Sequence, residues 1–417
     1  MQYGIANGAY GMKNVMMIHL ESLNYPLLMN FPEIFKEIDK VKNEGLFFNR
    51  YFSTATSTLM VVGDIMYGGK EQYESCSSLD SIPSDYFYKE SLFDELKNQG
   101  YQTGIFVYPE GGDRQSAEKR HIAGFQNEMV LKKDYSDFLV SIERLITEEP
   151  FAIMACNYIS NITLNCYTDK ENILDGTDKW KRGYECLDQS VGDIIQLLRN
   201  KNQLENTIII LYGDHGDDFW GHGMHGGLVH AVEPFAQLIH LPMIILDRDT
   251  KKGLNESLIC ATDIKQIILD KLGISSEHKD INNQYIVARS AYAAQPVRKE
   301  TFNKAYSITD GKFLMMVSNN GLELYDIEMD FSCSFNFLKL FDLEENRLQY
   351  RIENNQAFKF HYLDFMNERE ILRLRQISYF FRRKLYEEAL KLYLLAGRTE
   401  RDLKQEMNFD QIHDKNR

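Results

Sequence analysis

Short apolar runs alternate with amphipathic helical patterns through the first two thirds of the chain. Residues 14–20 (NVMMIHL) form the first apolar run, and similar runs occur at 103–107, 151–156, 207–212 and 242–246. Runs of this length are typical of strands that are buried on both faces of a sheet. Between the third and fourth runs, apolar residues from Tyr184 to Leu198 recur at helical spacing. The alternation predicts an α/β fold with a central, mostly parallel sheet flanked by helices.

The pattern changes near residue 290. Strand-like segments at 312–318 and 322–325 flank the turn sequence Asn319-Asn320-Gly321. Further on, apolar residues between Ile371 and Leu392 recur at helical spacing. We therefore expect an α/β domain over residues 1–290, a small antiparallel subdomain over 291–350 and a helical tail over 351–417. We expect the tail to pack on its own domain, and docking on a partner or a membrane surface is the alternative.

Charge and composition argue against several classes of protein. The chain has 47 Lys and Arg against 61 Asp and Glu, a net charge of −14, which disfavours a nucleic-acid binder. No window of about 18 residues is apolar enough to span a bilayer, and the first residues lack the pattern of a secretory signal. The six cysteines form no CxxC pair. These features predict a cytoplasmic protein with reduced thiols and no transmembrane segment.

Polar side chains follow or precede predicted elements at three places that can meet at one edge of the sheet. Glu21 follows the first strand, Asp214 and His215 follow the fourth, and the hydroxyl-rich run 53–58 precedes an apolar helix. Ligands of open α/β sheets bind beyond the carboxyl ends of the strands. Carboxylate and imidazole donors suit a divalent metal, which would lower the pKa of a coordinated threonine hydroxyl. The sequence therefore predicts a metal site with Glu21, Asp214 and His215 as ligands.

The segment after the fourth strand gives the strongest of these signals. Residues 214–230 contain four histidines and three aspartates, interspersed with glycines that let the backbone approach a ligand closely. Buried histidines at this density would need many hydrogen-bond partners. A binding role is therefore favoured over a purely structural loop.

These pieces, in this order, resemble the alkaline phosphatase superfamily, in particular its sulfatase-like branch with the phosphoethanolamine transferases and lipoteichoic acid synthases. The similarity extends from about residue 14 to residue 345. It rests on the segments 14–22, 47–68, 100–104, 187–192, 207–216, 221–223, 242–245, 263–273 and 323–326. The resemblance implies an α/β catalytic domain that uses a metal to cleave or transfer an ester.

The resemblance also implies roles for individual side chains around the metal. Glu21, Asp214 and His215 correspond to metal ligands. In the run Thr56-Ser57-Thr58, the second threonine corresponds to the nucleophile, which also contacts the metal. Thr58 is therefore the expected nucleophile, with Thr56 as the alternative.

Further residues correspond to positions that bind the substrate. His225 corresponds to a residue that contacts the transferred group, and His222 lies beside it in the same loop. Arg114 is a candidate clamp for the anionic substrate. His19 and His230 are expected to have structural roles.

The sequence departs from the family at positions that bear on the reaction. Sulfatases convert a Cys or Ser in a Cys/Ser-x-Pro-x-Arg run to formylglycine, and the segment 53–58 has neither that cysteine nor the Pro and Arg. The family's usual histidine after the strand at 151–156 is missing, and Val107-Tyr108 occupy a position that is usually basic or histidine. These departures disfavour ordinary sulfatase chemistry and leave a second metal unassigned.

We therefore expect a metal-dependent phosphotransferase or phosphodiesterase that acts on a phosphate ester, such as a sugar- or lipid-linked precursor of a cell-envelope polysaccharide. One divalent ion is expected, with Zn or Mn favoured over Mg or Ca because of the histidine ligand. Two other functions stay open, a sulfuric ester hydrolase and a catalytically weakened scaffold or binding protein. The resembling transferases are usually carried by a membrane section, so a soluble catalytic domain of an envelope enzyme is the alternative to a cytoplasmic one.

Overall fold

The computed structural model describes residues 12–68, 90–108, 129–132, 134–160, 176–218, 230, 233–274, 281–290, 305–318, 321–334 and 336. Within these residues the chain forms a nine-stranded sheet, covered by apolar layers on both faces, and a second, four-stranded sheet. This architecture confirms the predicted fold class. The helical tail expected over 351–417 and the turn residues 319–320 lie outside the described residues.

The large sheet is mostly parallel. Its order is β4-β3-β5-β1-β6-β7-β2-β8, with β9 also paired to β2. β7 is antiparallel to both of its neighbours, and the other pairings are parallel. The strands are β1 (Asn14–Leu20), β2 (Leu46–Phe52), β3 (Gln102–Tyr108), β4 (Met129–Leu131), β5 (Phe151–Asn157), β6 (Thr207–Gly213), β7 (His240–Leu246), β8 (Gly253–Asn255) and β9 (Ile259–Cys260).

Helices cover both faces of this sheet because side chains alternate along its strands. In β1, Val15 and Met17 pack in one apolar layer, while Met16 and Ile18 pack in the other. None of the helices in the described part of the chain is long and apolar enough to cross a membrane. The helices are α1 (Tyr25–Asn30), α2 (Lys36–Glu44), α3 (Thr58–Tyr67), α4 (Leu92–Asn98), α5 (Tyr135–Ile146), α6 (Gly176–Asn200), α7 (Ala236–Ile239) and α8 (Asp263–Lys271).

Helix α4 begins at a capping box. Ser91 Oγ accepts a hydrogen bond from the backbone N–H of Asp94 at 3.1 Å, and Asp94 Oδ2 accepts one from the backbone N–H of Ser91 at 3.0 Å. Two N–H groups that have no partner within the helix are thereby satisfied. The helix ends just before Gly100, and β3 follows.

The second sheet is antiparallel, as predicted, with the order β10-β11-β12-β13. Its strands are β10 (Ile286–Arg289), β11 (Tyr306–Thr309), β12 (Phe313–Ser318) and β13 (Gly321–Asp326). The first of these strands precedes residue 291, where the subdomain was expected to begin. A bridge between Ala55 and Arg289 joins this sheet to the segment between β2 and α3.

Candidate active site

The sheet register brings two acidic residues together. β1 and β6 are adjacent and parallel, and Leu20 is paired with Gly213. The next residues, Glu21 and Asp214, therefore leave the sheet side by side, and both are fully buried. The backbone N–H of Ser22 donates a hydrogen bond to Asp214 Oδ1 at 3.3 Å. Because buried charges are costly without partners, this carboxylate pair calls for cationic groups around it.

Two imidazoles lie against the carboxylate pair. His19 Nε2 is 2.9 Å from Glu21 Oε2 and 3.2 Å from Asp214 Oδ2. His215 Nε2 is 3.2 Å from Asp214 Oδ2 and 3.7 Å from Glu21 Oε1. One possible ligand atom comes from each of three residues, His19, Glu21 and Asp214. These three atoms lie within 4.8 Å of one another.

Thr58 reaches the same cluster from the segment that follows a third strand, β2. β7 is antiparallel to both β2 and β6, so β2 runs in the same direction as β6 and ends at the same edge of the sheet. Helix α3 then begins at Thr58, and Thr58 Oγ1 lies 3.0 Å from His215 Nε2. The free N–H groups of a first helical turn also favour an anion at this point. Thr56 is buried in the preceding loop.

The donor atoms of the cluster fit a divalent metal. Donors that each lie about 2.0–2.2 Å from one ion are roughly 3–3.5 Å apart, and most of the separations above fall close to that range. Asp214 Oδ2 is buried and accepts no hydrogen bond from the described residues, although the Nε2 atoms of His19 and His215 each lie 3.2 Å from it. A buried carboxylate oxygen without a donor calls for another partner. A cation between these groups would be that partner.

The charges within the cluster reinforce one another. Burial alone would raise the pKa of Asp214, but the positive charges of His215 and His19 lower it below its usual range. Burial alone would lower the pKa of His19, but the Asp214 carboxylate raises it well above its usual value. Each partner favours the charged form of the other. Asp214 is therefore an anion, and available as a ligand, at neutral pH.

The turn after β1 is held by groups from two other segments. Ser22 adopts a left-handed backbone conformation with φ of 60°, which is uncommon for a residue other than glycine. The hydroxyl of Tyr184, on α6, donates a hydrogen bond to the carbonyl of Ser22 at 2.8 Å, and Ser160 Oγ donates one to the carbonyl of Glu21 at 3.0 Å. Strained backbone of this kind persists when its surroundings fix it, and here it lies next to Glu21.

His215 is oriented by its own loop. Its Nδ1 lies 3.0 Å from the carbonyl of Gly216, and the ring of His230 stacks on it with a centroid distance of 4.4 Å. His230 Nδ1 is in turn 3.2 Å from Asp217 Oδ1. Burial alone would lower the pKa of His230, but the hydrogen bond and charge of Asp217 raise it above its usual value. This chain of contacts fixes the ring of His215 so that Nε2 faces Thr58.

The structure brings together Glu21, Thr58, Asp214 and His215, the four residues to which the sequence assigned the metal. The residues predicted to bind the substrate, His222, His225 and Arg114, lie outside the described residues, so their roles stay predictions. His19 was given a structural role, yet its Nε2 lies among the carboxylates. The signal that could have found it is strand periodicity, because residues two apart in a strand point to the same face.

The chain is similar to known proteins in sequence pattern and in fold. The family model described as Sulfatase matches residues 13–182 and 168–274. Among solved structures, a 2-O GAG sulfatase has a TM-score of 0.62 and 14% identity, and the match covers 85% of this chain and 94% of that one.

Two other similar structures are not sulfatases by name. The phosphonate monoester hydrolase of Agrobacterium radiobacter has a TM-score of 0.56 and 14% identity, with 84% of this chain and 96% of that one covered. The lipoteichoic acid synthase LtaP from Listeria monocytogenes has a TM-score of 0.51 and 13% identity, with 77% and 88% covered. At these identities the matches show a shared fold.

Proposed function

The chain belongs to the sulfatase family, and from this premise we propose that it is a metal-dependent enzyme that transfers or hydrolyses phosphate esters with Thr58 as its nucleophile. The observation that carries the proposal is the distance of 3.0 Å between Thr58 Oγ1 and His215 Nε2. That contact lies beside a buried pair of carboxylates, so the hydroxyl belongs to the same cluster as the proposed ligands. Thr56, in the preceding loop, is the alternative nucleophile.

Two observations favour phosphorus over sulfur as the reaction centre. The segment 53–58 lacks the Cys/Ser-x-Pro-x-Arg run that supplies formylglycine in sulfatases. The fold is also that of a phosphonate monoester hydrolase, whose name specifies a phosphorus ester, and of a lipoteichoic acid synthase. An unmodified threonine hydroxyl is a nucleophile that suits phosphoryl transfer once its proton is removed.

Four residues of the cluster have a definite task in this proposal. Glu21, Asp214, His215 and Thr58 would hold one divalent ion, with Zn or Mn favoured over Mg or Ca by the imidazole donor. When bound, the ion supplies positive charge that stabilises negative charge developing on nearby oxygens. The polar groups around Ser22 and the stacked His230 keep these side chains in place.

The reaction would proceed in two steps on Thr58. In the first, a bond forms between Thr58 Oγ1 and phosphorus while the bond from phosphorus to the leaving oxygen breaks. Thr58 loses its hydroxyl proton and the leaving oxygen gains one. In the second step, water or an acceptor hydroxyl attacks the phosphothreonine and restores Thr58. Water gives hydrolysis, and a sugar or glycerol hydroxyl gives transfer.

His225, His222 and Arg114 complete the proposal as donors to the phosphoryl oxygens. Imidazole and guanidinium groups bind tetrahedral anions with charge-assisted hydrogen bonds. Donors aimed at oxygens whose charge grows in the transition state also accelerate the reaction. The substrate class that we propose is a sugar- or lipid-linked phosphate ester.

The test is metal analysis and turnover of the purified wild type and three variants, Thr58→Ala, Thr56→Ala and Asp214→Ala. Generic phosphodiester, phosphomonoester and sulfate-ester substrates would be compared. We expect near-stoichiometric metal in the wild type and its loss in Asp214→Ala. We expect phosphodiester turnover that Thr58→Ala abolishes and Thr56→Ala retains, with a phosphorylated Thr58 found by mass spectrometry during turnover. Full turnover in Thr58→Ala would contradict the nucleophile and point to Thr56.

A sulfuric ester hydrolase is the second candidate. The matching family model and the 2-O GAG sulfatase with the same fold favour it. Sulfate and phosphate esters are both tetrahedral anions, so one cluster can accommodate either. Metal-dependent turnover of sulfate esters well above that of phosphodiesters would select this candidate over the first.

A further inference from the structure

One imidazole in the cluster has no role in the function proposed above. His19 is fully buried at the end of β1, two residues before Glu21. Residues at this spacing in a strand point to the same face. Its Nε2 accordingly lies within 3.2 Å of oxygens from both Glu21 and Asp214. The atom is therefore placed among the groups that would hold a metal.

His19 and Asp214 are in close contact, but one oxygen of the Asp214 carboxylate is left without a hydrogen-bond partner among the described residues. Asp214 Oδ2 accepts no hydrogen bond from any residue that the structure describes, although His19 Nε2 lies 3.2 Å from it. His215 Nε2 stands at the same distance from the same oxygen. Two imidazole nitrogens, one from β1 and one from the loop after β6, therefore approach the same carboxylate oxygen. Donor atoms that surround a shared cation are arranged in this way.

The Nδ1 side of the His19 ring, opposite Nε2, has contacts that would hold the ring in the orientation of a metal ligand. His19 Nδ1 lies 3.5 Å from the hydroxyl of Tyr212, and the ring makes an edge contact with Tyr158 at a centroid distance of 5.4 Å. An imidazole that binds a metal through Nε2 carries its proton on Nδ1, where an outer group accepts it. Tyr212 occupies that outer position and limits rotation of the ring.

We propose that His19 is a direct ligand of the metal, so that the site has two imidazole donors instead of the one implied by the resemblance to the family. This inference rests on the metal site of the proposed function, but it does not depend on which threonine attacks or on the ester used. The main rival is a protonated His19 that only bridges the two carboxylates and never contacts the ion.

A second imidazole has a consequence for the choice of metal. Mg²⁺ and Ca²⁺ prefer oxygen donors, whereas zinc accepts imidazole and carboxylate together. A site with His19 and His215 as donors would therefore select zinc over magnesium or calcium more strongly than a site with His215 alone. The preference follows from the donor atoms and needs no knowledge of the substrate.

The experiment counts imidazoles on zinc in the full-length protein without any substrate. X-ray absorption at the zinc edge distinguishes one from two imidazole ligands through the scattering of the outer ring atoms. We expect two in the wild type and one in His19→Gln. Competition with a chelator should give a zinc affinity for His19→Gln that is lower by about 100-fold or more, since even outer-shell changes cost 10–100-fold.

His240→Gln is the matched control. His240 is half-buried among aromatic rings, and it contacts Tyr25 and Phe52 and not the cluster. It should keep two imidazoles and an unchanged zinc affinity. The wild-type spectrum needs no variant to fold, so it decides the question even if His19→Gln is unstable.

The outcomes separate this inference from the proposed function. Zinc bound with two imidazoles, one of which disappears in His19→Gln, supports His19 as a ligand. Zinc bound with one imidazole in the wild type overturns it and leaves the proposed metal site intact. A wild type that binds no zinc overturns this inference, and one that binds no divalent ion at all overturns the metal site of the proposed function as well.

Discussion

The guanidinium of Arg289 forms two hydrogen bonds with the carboxylate of Asp64, at 2.9 and 3.0 Å. Asp64 lies on α3, the helix that begins at Thr58, and Arg289 ends the first strand of the second sheet. Both side chains are buried, and the Thr54 hydroxyl donates a further hydrogen bond to Asp64 at 2.5 Å. One buried ion pair thus links the antiparallel sheet to the helix of the proposed nucleophile.

Asp64→Asn should destabilise the protein strongly. The change leaves the Arg289 charge buried without its counter-charge, and removal of one partner of a buried ion pair costs about 3–5 kcal/mol. Urea unfolding of the wild type and the variant gives the loss of unfolding free energy directly.

A surface ion pair provides the control, because Lys312 and Glu328 lie 3.3 Å apart with both side chains more than a third exposed. Lys312→Gln should cost less than about 1 kcal/mol. Equal losses in the two variants would show that the Arg289 pair contributes no more than a surface contact.

Tyr184→Phe should weaken the metal site without direct contact with it. The Tyr184 hydroxyl donates to the carbonyl of Ser22, next to Glu21. Burial, and then the negative charges of Asp217 and Glu21, raise the pKa of Tyr184, so the hydroxyl remains a donor. Its loss leaves a buried carbonyl without this donor, at a cost of about 1–3 kcal/mol in unfolding free energy.

We also expect the metal affinity of Tyr184→Phe to fall by about tenfold, because outer groups hold ligands in position. Tyr135→Phe makes the same chemical change away from the cluster, where the hydroxyl donates to Asp193 at 2.7 Å. Its metal affinity should equal that of the wild type. A metal titration that finds Tyr184→Phe and Tyr135→Phe indistinguishable would contradict the role given to Tyr184.

Gly216→Ala should disrupt the loop that carries His215. A Cβ at this position would lie 1.9 Å from the backbone carbonyl oxygen of Gln237, and a backbone atom cannot move aside cheaply. Overpacking of this kind costs about 1–3 kcal/mol, and the shift would displace His215. We expect lower stability in urea and lower metal content.

Gly192→Ala is the matched substitution. There the new Cβ would lie 2.8 Å from Cγ of Glu37, a side chain at the surface that can move. Gly192 lies inside α6, where alanine is favoured over glycine by up to about 1 kcal/mol. Stability should therefore stay the same or rise slightly. If Gly216→Ala behaves like Gly192→Ala, the close packing of the His215 loop is not needed for its structure.

The parts of the site that lie at strand ends could be predicted from the sequence. Glu21 and Asp214 each follow an apolar run that reads clearly as a strand, and parallel neighbours bring such positions together. His19 was expected to be structural because it lies inside the strand, where a buried histidine is usually structural. The alternation of side chains, continued one residue past the end of the strand to Glu21, would have predicted that the two side chains lie close together.

The remaining contacts depend on pairings between distant segments. Asp64 and Arg289 are 225 positions apart, and Tyr184 and Ser22 are 162 apart. No local pattern marks either pair, since each partner alone resembles an ordinary helix or loop residue. β2 was also not assigned as a strand, although its antiparallel pairing with β7 determines where Thr58 emerges. These features follow from the topology and not from local propensity.

The stability of the protein should fall in mild acid because of His240, which lies outside the metal cluster. Its ring is stacked between Tyr25 and Phe52, at centroid distances of 4.6 Å from each, and its Nε2 donates to the carbonyl of Asn49 at 2.7 Å. Burial lowers the pKa of His240 to about 4. The charge of Arg50 acts in the same direction, and the hydrogen bond to Asn49 acts against it. A histidine in the unfolded chain has a pKa of about 6.5. Between pH 6.5 and pH 4 the unfolded chain therefore binds a proton at this position that the folded protein does not bind. Stability falls as the pH drops through this range, by about 2 kcal/mol between pH 7 and pH 5 from this residue.

Unfolding in urea at both pH values, for the wild type and His240→Gln, measures the effect. On acidification the variant should lose about 2 kcal/mol less unfolding free energy than the wild type. An equal loss in both proteins would show that His240 is protonated as readily in the folded state as in the unfolded one.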